Sequence, residues 1–199
     1  MTTDGGLRQR KKEQTRQRIE TAALELFSRD GFDAATIDDI AAAADIAPRT
    51  FFHYFPTKED VVLADYAGRL EKLVTEVDSR PDEEDHWTAL RRSFAVVASD
   101  YQQQRDHLMG RFGIMAGSPS VQARSLQLQA QWEDALAASL TRRRGDDPNE
   151  DLSSRLLAAT ALAAMRSSLR HWLISGHALP LPTVLDACFD QLGAGLDRT

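Results

Sequence analysis

Residues 37–59, IDDIAAAADIAPRTFFHYFPTKE, constrain the fold more than any other stretch of the chain. Thr36 precedes an apolar-periodic segment and Asp39 follows three residues later, the pattern of an N-cap with an acidic capping partner. The spacing predicts a short helix over about residues 37–44, a tight turn at Asp45 and Ile46, and a second short helix over residues 48–54. Pro48 suits a first helical turn, because the N–H it lacks would have no partner there. Pro56 closes that helix. Thr57 with Asp60 then caps another, which carries Leu63, Tyr66, Leu70, Leu73 and Val77 on one face.

The remaining chain is helical in pattern. Ile19, Ala22, Ala23, Leu26 and Phe27 repeat at helical spacing in a helix from about residue 7 or 10 to residue 30, which Gly31 ends. Residues 1–7 are expected to be disordered. After a polar linker at 79–85, Trp87, Leu90, Phe94, Val97 and Tyr101 step by three and four. A short helical piece is predicted at about 108–115. A long helix follows from Ser118-Pro119 through Val121, Ser125, Leu128, Trp132 and Leu136. Residues 142–150 read as a polar loop. An alanine-rich helix over about 151–175 stops at Gly176, and Pro180 and Pro182 open a last helix through Val184, Leu185, Cys188, Leu192 and Leu196. The pattern gives about nine helices and no strand. Sparse β-branched residues among abundant alanine, leucine and arginine agree with an all-α chain. It divides into a helix-turn-helix, three-helix domain at residues 1–60 and a C-terminal helical bundle at residues 61–199.

Composition removes several classes. At 42% hydrophobic residues in 199, the chain has ample material for a core. The longest apolar stretch, 156–165, is about half of what a bilayer requires, and no apolar run follows the charged N-terminus. Neither a membrane span nor a secretory leader is expected, and the chain reads as cytoplasmic. One cysteine, Cys188, excludes an intrachain disulfide; on an apolar helical face it is a small buried hydrophobe or a redox sensor. The net charge is −6. Yet Arg8, Arg10, Lys11, Lys12, Arg16 and Arg18 crowd one end, and Asp82, Glu83, Glu84 and Asp85 form an acidic run elsewhere. A basic end on an acidic body is compatible with local phosphate binding. No phosphate loop, G-x-S-x-G, C-x-x-C or H-E-x-x-H occurs. The five histidines lack metal-ligand spacing. No catalytic, metal or cofactor site is expected.

A helix fits the DNA major groove, where its exposed side chains meet base edges while other groups hold phosphates. Phe51 and Phe55, four apart, would face inward from the second short helix. Arg49, Thr50 and His53 would then face outward, with Arg49 suited to a bidentate grip on guanine. Lys58 and the helix N-terminus at Thr36 offer phosphate contacts. A helical hairpin without DNA binding, or a scaffold role, stands as the alternative from spacing alone.

Residues 14–62 carry a resemblance. A helix ending in LF-x-x-x-GF, then T-x-x-x-IA, then TFFHYFPTKE, resembles the N-terminal domain of the TetR/AcrR family of bacterial transcriptional regulators. The resemblance implies a homodimer that binds a palindromic double-stranded DNA operator as a repressor and releases it when a small molecule enters the C-terminal domain. By position it implies DNA contacts at Thr36, Pro48, Arg49, Thr50, His53, Tyr54 and Lys58. Three residues depart from the family pattern. Asp45 replaces a usual glycine in the turn, which asks an aspartate for a left-handed conformation. Ala47 replaces a capping serine, and Phe52 replaces a common tyrosine. The block RTFFHYFPTKEDVVLADY also resembles members with acyl-coenzyme-A-like ligands.

Beyond residue 86 no motif is visible. Phe94, Tyr101, Met109, Phe112, Trp132, Met165 and Trp172 line an apolar cavity or simply fill the core. Arg105, His107 and Arg111 meet a ligand carboxylate or phosphate, or form a solvated face. A small-molecule effector, acyl-coenzyme-A-like or otherwise hydrophobic, suits the first alternative in each case. The last two helices are the expected homodimer interface. Ala158, Ala159, Ala161, Ala163, Ala164, Ser167 and Ser168 would let helices approach closely, either between subunits or within one.

Overall fold

The computed structural model describes residues 3–144, 152–176 and 178–195. Ten α-helices and no strand are found among them. They are α1 (Thr3–Asp30), α2 (Ile37–Ala43), α3 (Pro48–Phe51), α4 (Lys58–Val62), α5 (Tyr66–Asp78), α6 (His86–Gln103), α7 (Arg105–Gly117), α8 (Pro119–Arg144), α9 (Leu152–Ile174) and α10 (Leu181–Gly193). The described residues form two compact units. One holds residues up to Ala64 together with Met109–Ser125; the other holds Asp65–Leu108 and the residues from Leu126 onward.

The first unit is built on α1. Its periodic face buries Ile19, Ala23 and Phe27 beside Ile40, Ala41, Phe51 and Val61. Gly31 takes a positive φ of 88° and donates its N–H to the Phe27 carbonyl at 3.1 Å, the helix stop expected there. Phe27 then meets Phe32 with ring centroids 4.8 Å apart, which turns the chain toward α2. Helix α1 reaches back to Thr3 rather than starting at residue 7 or 10. Extending an established helix fixes one residue per hydrogen bond gained, so no new nucleus is needed.

The helix expected to run on from Thr57 is instead two, which raises the count from nine to ten. Thr57 and Asp60 form the predicted capping box, but α4 ends after five residues, with Leu63 at φ −100° and ψ 18°. The carbonyls that a continuous helix would use are taken by arginines. Arg111 Nη1 donates to the carbonyls of Val61 and Val62 at 2.7 and 2.9 Å, and Arg16 Nη2 to that of Ala64 at 3.0 Å. These charge-assisted bonds replace the missing helical ones.

In the second unit, α6 packs on α5, α9 and α10. Trp87 and Phe94 both stack on Phe189, at centroid distances of 4.7 and 6.1 Å. A Cβ at Gly193 would come within 3.1 Å of the Trp87 indole nitrogen, so a larger residue there would require the indole to shift. Arg91 on α6 ties α10 through Asp186 and Asp190 at 2.5 and 2.6 Å. Two residues of the acidic run at 82–85 have structural roles. Glu84 pairs with Arg80 at 2.6 Å and with Arg92, and Asp85 accepts from the Thr88 N–H at 3.0 Å as the N-cap of α6.

Helix α7 is longer than the predicted piece at 108–115. Arg142 and Arg143 belong to α8 rather than to a loop, and Arg143 donates to the carbonyls of Arg80 and Pro81 at 2.7 and 2.6 Å. Arg144 ends α8, and residues 145–150 of the polar loop expected at 142–150 lie outside the described residues. Gly176, at φ 67°, follows α9 as expected.

Candidate nucleic-acid interface

The turn between α2 and α3 closes by two backbone bonds. Asp45 donates to the Ala42 carbonyl at 3.2 Å and Ile46 to the Ala41 carbonyl at 3.0 Å. This paired pattern requires a left-handed residue after the helix cap. Asp45 supplies it at φ 52°, the non-glycine residue with positive φ among those described. Ala47 caps α3 without a side-chain bond, and Pro48 stands in its first turn. Helix α3 ends at Phe51 rather than near Tyr54, yet Phe52 keeps helical dihedrals of −67° and −12°. Tyr54 and Phe55 donate to the Phe51 carbonyl at 2.9 and 3.0 Å, so the path stays coiled to residue 55.

Phe51 and Phe55 face inward as expected, both buried with centroids 5.9 Å apart. Pro48, Arg49 and His53 are exposed; Thr50 and Tyr54 are half-buried. The exposed set gathers an arginine and an imidazole on one coiled segment, and a major groove is wide enough to admit a helix.

Thr36 and Lys58 are more committed than the sequence implied. The Thr36 hydroxyl bonds the Asp39 carboxylate at 2.5 Å and accepts from the Asp39 N–H at 3.1 Å. The Thr36 hydrogen bonds hold the Asp39 carboxyl below its ordinary range. Its negative charge therefore occupies the N-terminus of α2, where a phosphate contact was expected. Lys58 Nζ donates to the carbonyls of Phe32 and Ala35 at 2.6 and 2.9 Å and lies 4.4 Å from the Phe32 ring centroid. An ammonium has three N–H donors, and these carbonyls engage two.

On α1, Arg8, Arg10, Lys11, Lys12 and Arg18 are exposed. Arg16 is not available in the same way. It donates to the Ala64 carbonyl, and its guanidinium lies 5.4 Å from the Phe55 ring centroid. An open groove of about 840 Å³ between α1 and the α2–α3 turn is lined by Lys11, Arg18, Ala44 and Asp45, among others.

Two arginines hold the helix-turn-helix from α7 and α8. Arg111, 5% exposed, pairs with Glu20 of α1 while capping the end of α4. Arg124 pairs with Asp60 of α4 at 2.8 Å. Arg111 was expected at a ligand or on a solvated face; the structure buries it instead. It stands three residues after Leu108 and four before Met115, in the apolar register of its helix, and that register was the available clue.

The residues expected at an effector divide between the units. In the second unit Phe94, Tyr101, Trp132, Met165 and Trp172 are buried and Arg105 is exposed. In the first, Met109 is exposed and Phe112 half-buried. The His107 side chain lies outside the described residues. Buried Arg69 and half-buried Tyr66, not among the residues expected at an effector, join this set. Arg69 lies over the Tyr101 ring at 4.0 Å and bonds Gln104 at 2.9 Å, and Tyr66 meets Trp132 at 5.7 Å. Desolvation raises the pKa of both tyrosines above their ordinary value.

The alanine-rich face of α9 is split. Ala158, Ala161, Ala164 and Ser168 are buried within the chain, and Ser168 donates to Cys188 Sγ at 3.2 Å. Ala159 and Ala163 are half-buried and Ser167 is exposed. Cys188 is half-buried rather than fully enclosed. Among the described residues no helix is long and apolar enough to cross a membrane. Nor, among the described residues, is any group of three or more histidine, cysteine or acidic side chains placed to hold a metal.

Known proteins share this arrangement. Residues 19–64 match the family described as bacterial regulatory proteins, tetR family, and residues 84–197 match the MftR C-terminal domain. The chain is 32% identical over 192 residues to the regulator MftR of Mycobacterium tuberculosis (strain ATCC 25618 / H37Rv), named for mycofactocin biosynthesis, covering 95% of this chain and 94% of that one. It is 30% identical over 175 residues to the HTH-type transcriptional regulator TcmR of Streptomyces glaucescens, covering 85% and 77%. Among solved structures, the TetR-family repressor FadR of Thermus thermophilus, in complex with lauroyl-CoA, superposes with a TM-score of 0.61 at 28% identity over 92% of this chain and 96% of that one. The chain belongs to the TetR family of bacterial transcriptional regulators, with a DNA-binding helix-turn-helix domain and a ligand-binding C-terminal domain.

Proposed function

We propose that this regulator is a cytoplasmic repressor that binds a palindromic operator as a homodimer and leaves it when a largely apolar, acyl-coenzyme-A-like effector enters the C-terminal domain. The observation that carries the reading is the exposed face of α3, where Arg49 and His53 project from a helix fixed by buried Phe51 and Phe55. Arg49 reads a base edge. Pro48, Thr50, Tyr54 and Lys58, with Thr36, provide or position backbone contacts, and the exposed basic residues of α1 add phosphate affinity.

Dimerisation is assigned to α9 and α10. The outward side of α9 carries Leu156, 64% exposed, and Ile174, 75% exposed, with Ala159, Ala163 and Ser167 between them at helical steps along one flank. Exposed Thr183, Ala187 and Gln191 recur every fourth residue on α10. Small residues bracketed by large apolar ones suit a close isologous contact, and a two-fold protein implies a two-fold operator. The effector reading draws on the buried aromatic and methionine set of the second unit and on the lauroyl-CoA complex of the Thermus protein.

A mobility shift with the selected operator tests both halves. Lauroyl-CoA is expected to release the DNA, whereas coenzyme A alone is not. Release by neither, with operator binding intact, would contradict the effector assignment and leave the repressor reading standing.

A further inference from the structure

Phe52 is 54% exposed at the end of α3, three residues after exposed Arg49 and next to exposed His53. Phe52 keeps helical dihedrals, so Arg49 three residues before it is its neighbour on the same side, as His53 is of Arg49 at i+4. The ring is held in place. It meets the fully buried Phe51 edge-on, with centroids 5.6 Å apart and planes at 85°.

Chemistry narrows what such a ring can read. Phenylalanine neither donates nor accepts a hydrogen bond, so it cannot grip a phosphate or a polar base edge. In the major groove the apolar group presented by a base edge is the C5 methyl of thymine. We propose that Phe52 is a specificity-determining residue that packs on a thymine methyl in each operator half-site, beside the base pair read by Arg49. This rests on the reading that α3 enters the major groove.

The test uses the full chain and a duplex selected by it from random sequence. Each thymine of the half-site is replaced singly by deoxyuridine, which removes the methyl and leaves the polar edges unchanged. One such replacement should weaken wild-type binding about fourfold per half-site, the transfer free energy of one methyl-sized group. Phe52→Ala should weaken binding to the thymine duplex by at least as much and show no further loss on the deoxyuridine duplex. Phe52→Leu, which keeps an apolar contact, should retain the preference for the methyl. Circular dichroism of each variant checks that the fold is kept. Additive losses from Phe52→Ala and methyl removal would overturn the proposal, as would wild-type indifference to every methyl. Failure of the wild type to select any duplex would instead overturn the groove-binding reading beneath it.

Discussion

Arg49 and Lys58 differ in what surrounds them, and their substitutions should differ accordingly. Arg49 is exposed and lies on the same face as His53. Arg49→Ala is expected to cost about 1–3 kcal/mol of operator affinity and to relax base choice at one position per half-site. Binding titrations on an operator and its single-base variants check this; unchanged affinity would remove Arg49 from the reading set. Lys58 joins the end of the α1–α2 loop to α4 through two carbonyls. Lys58→Met should lower stability by about 1–3 kcal/mol, because those carbonyls lose their donor in a half-buried place. If its third N–H also meets a phosphate, the same variant lowers the slope of log affinity against log salt by about one. A lower melting temperature with an unchanged slope would make Lys58 a structural pin alone.

Helix boundaries show which local forces dominate. The capping boxes at Thr36 and Thr57, the glycine stops at 31 and 176, and the left-handed turn at Asp45 were legible because each depends on residues within a few positions. The inward direction of Phe51 and Phe55 was legible for the same reason. The break between α4 and α5 was not, because what sustains it comes from afar: Arg111 lies about fifty residues on, and Arg16 about fifty back. The same distance hid the engagement of Lys58 and the division of the alanine stripe into inner and outer halves, since periodicity reports a face but not its partner. Arg111→Met tests the break directly. It takes the Arg111 cation from half-buried Glu20 and the guanidinium donor from the Val61 and Val62 carbonyls. A loss of about 3 kcal/mol is expected in denaturant unfolding. A loss below about 0.5 kcal/mol would mean that the α4–α5 break stands without the guanidinium.

Whole-molecule behaviour follows from charge and from the unpaired flank of α9. The carboxyls of Asp39, Glu84, Asp85 and Asp186 are all held below their ordinary range, chiefly by hydrogen bonds from Thr36, Arg80, Thr88 and Arg91 in turn. Such groups stabilise the folded chain above their unfolded pKa of about 4, and that contribution is lost as pH falls through the lower folded values. Melting temperature should therefore hold from neutrality to about pH 5 and fall progressively below pH 4. A melting temperature flat down to pH 3 would show that these bonds add nothing. Ala163 lies between Leu156 and Ile174 on α9. Ala163→Arg should convert a dimer to a monomer in sedimentation equilibrium, and a variant that stays dimeric would move the interface away from this helix. Selection of bound duplexes from a random DNA pool by the purified wild-type chain tests the central claim most directly. The predicted result is an enriched two-fold palindrome whose half-sites lie one helical turn, or a multiple of it, apart; a pool that stays random through repeated rounds would contradict it.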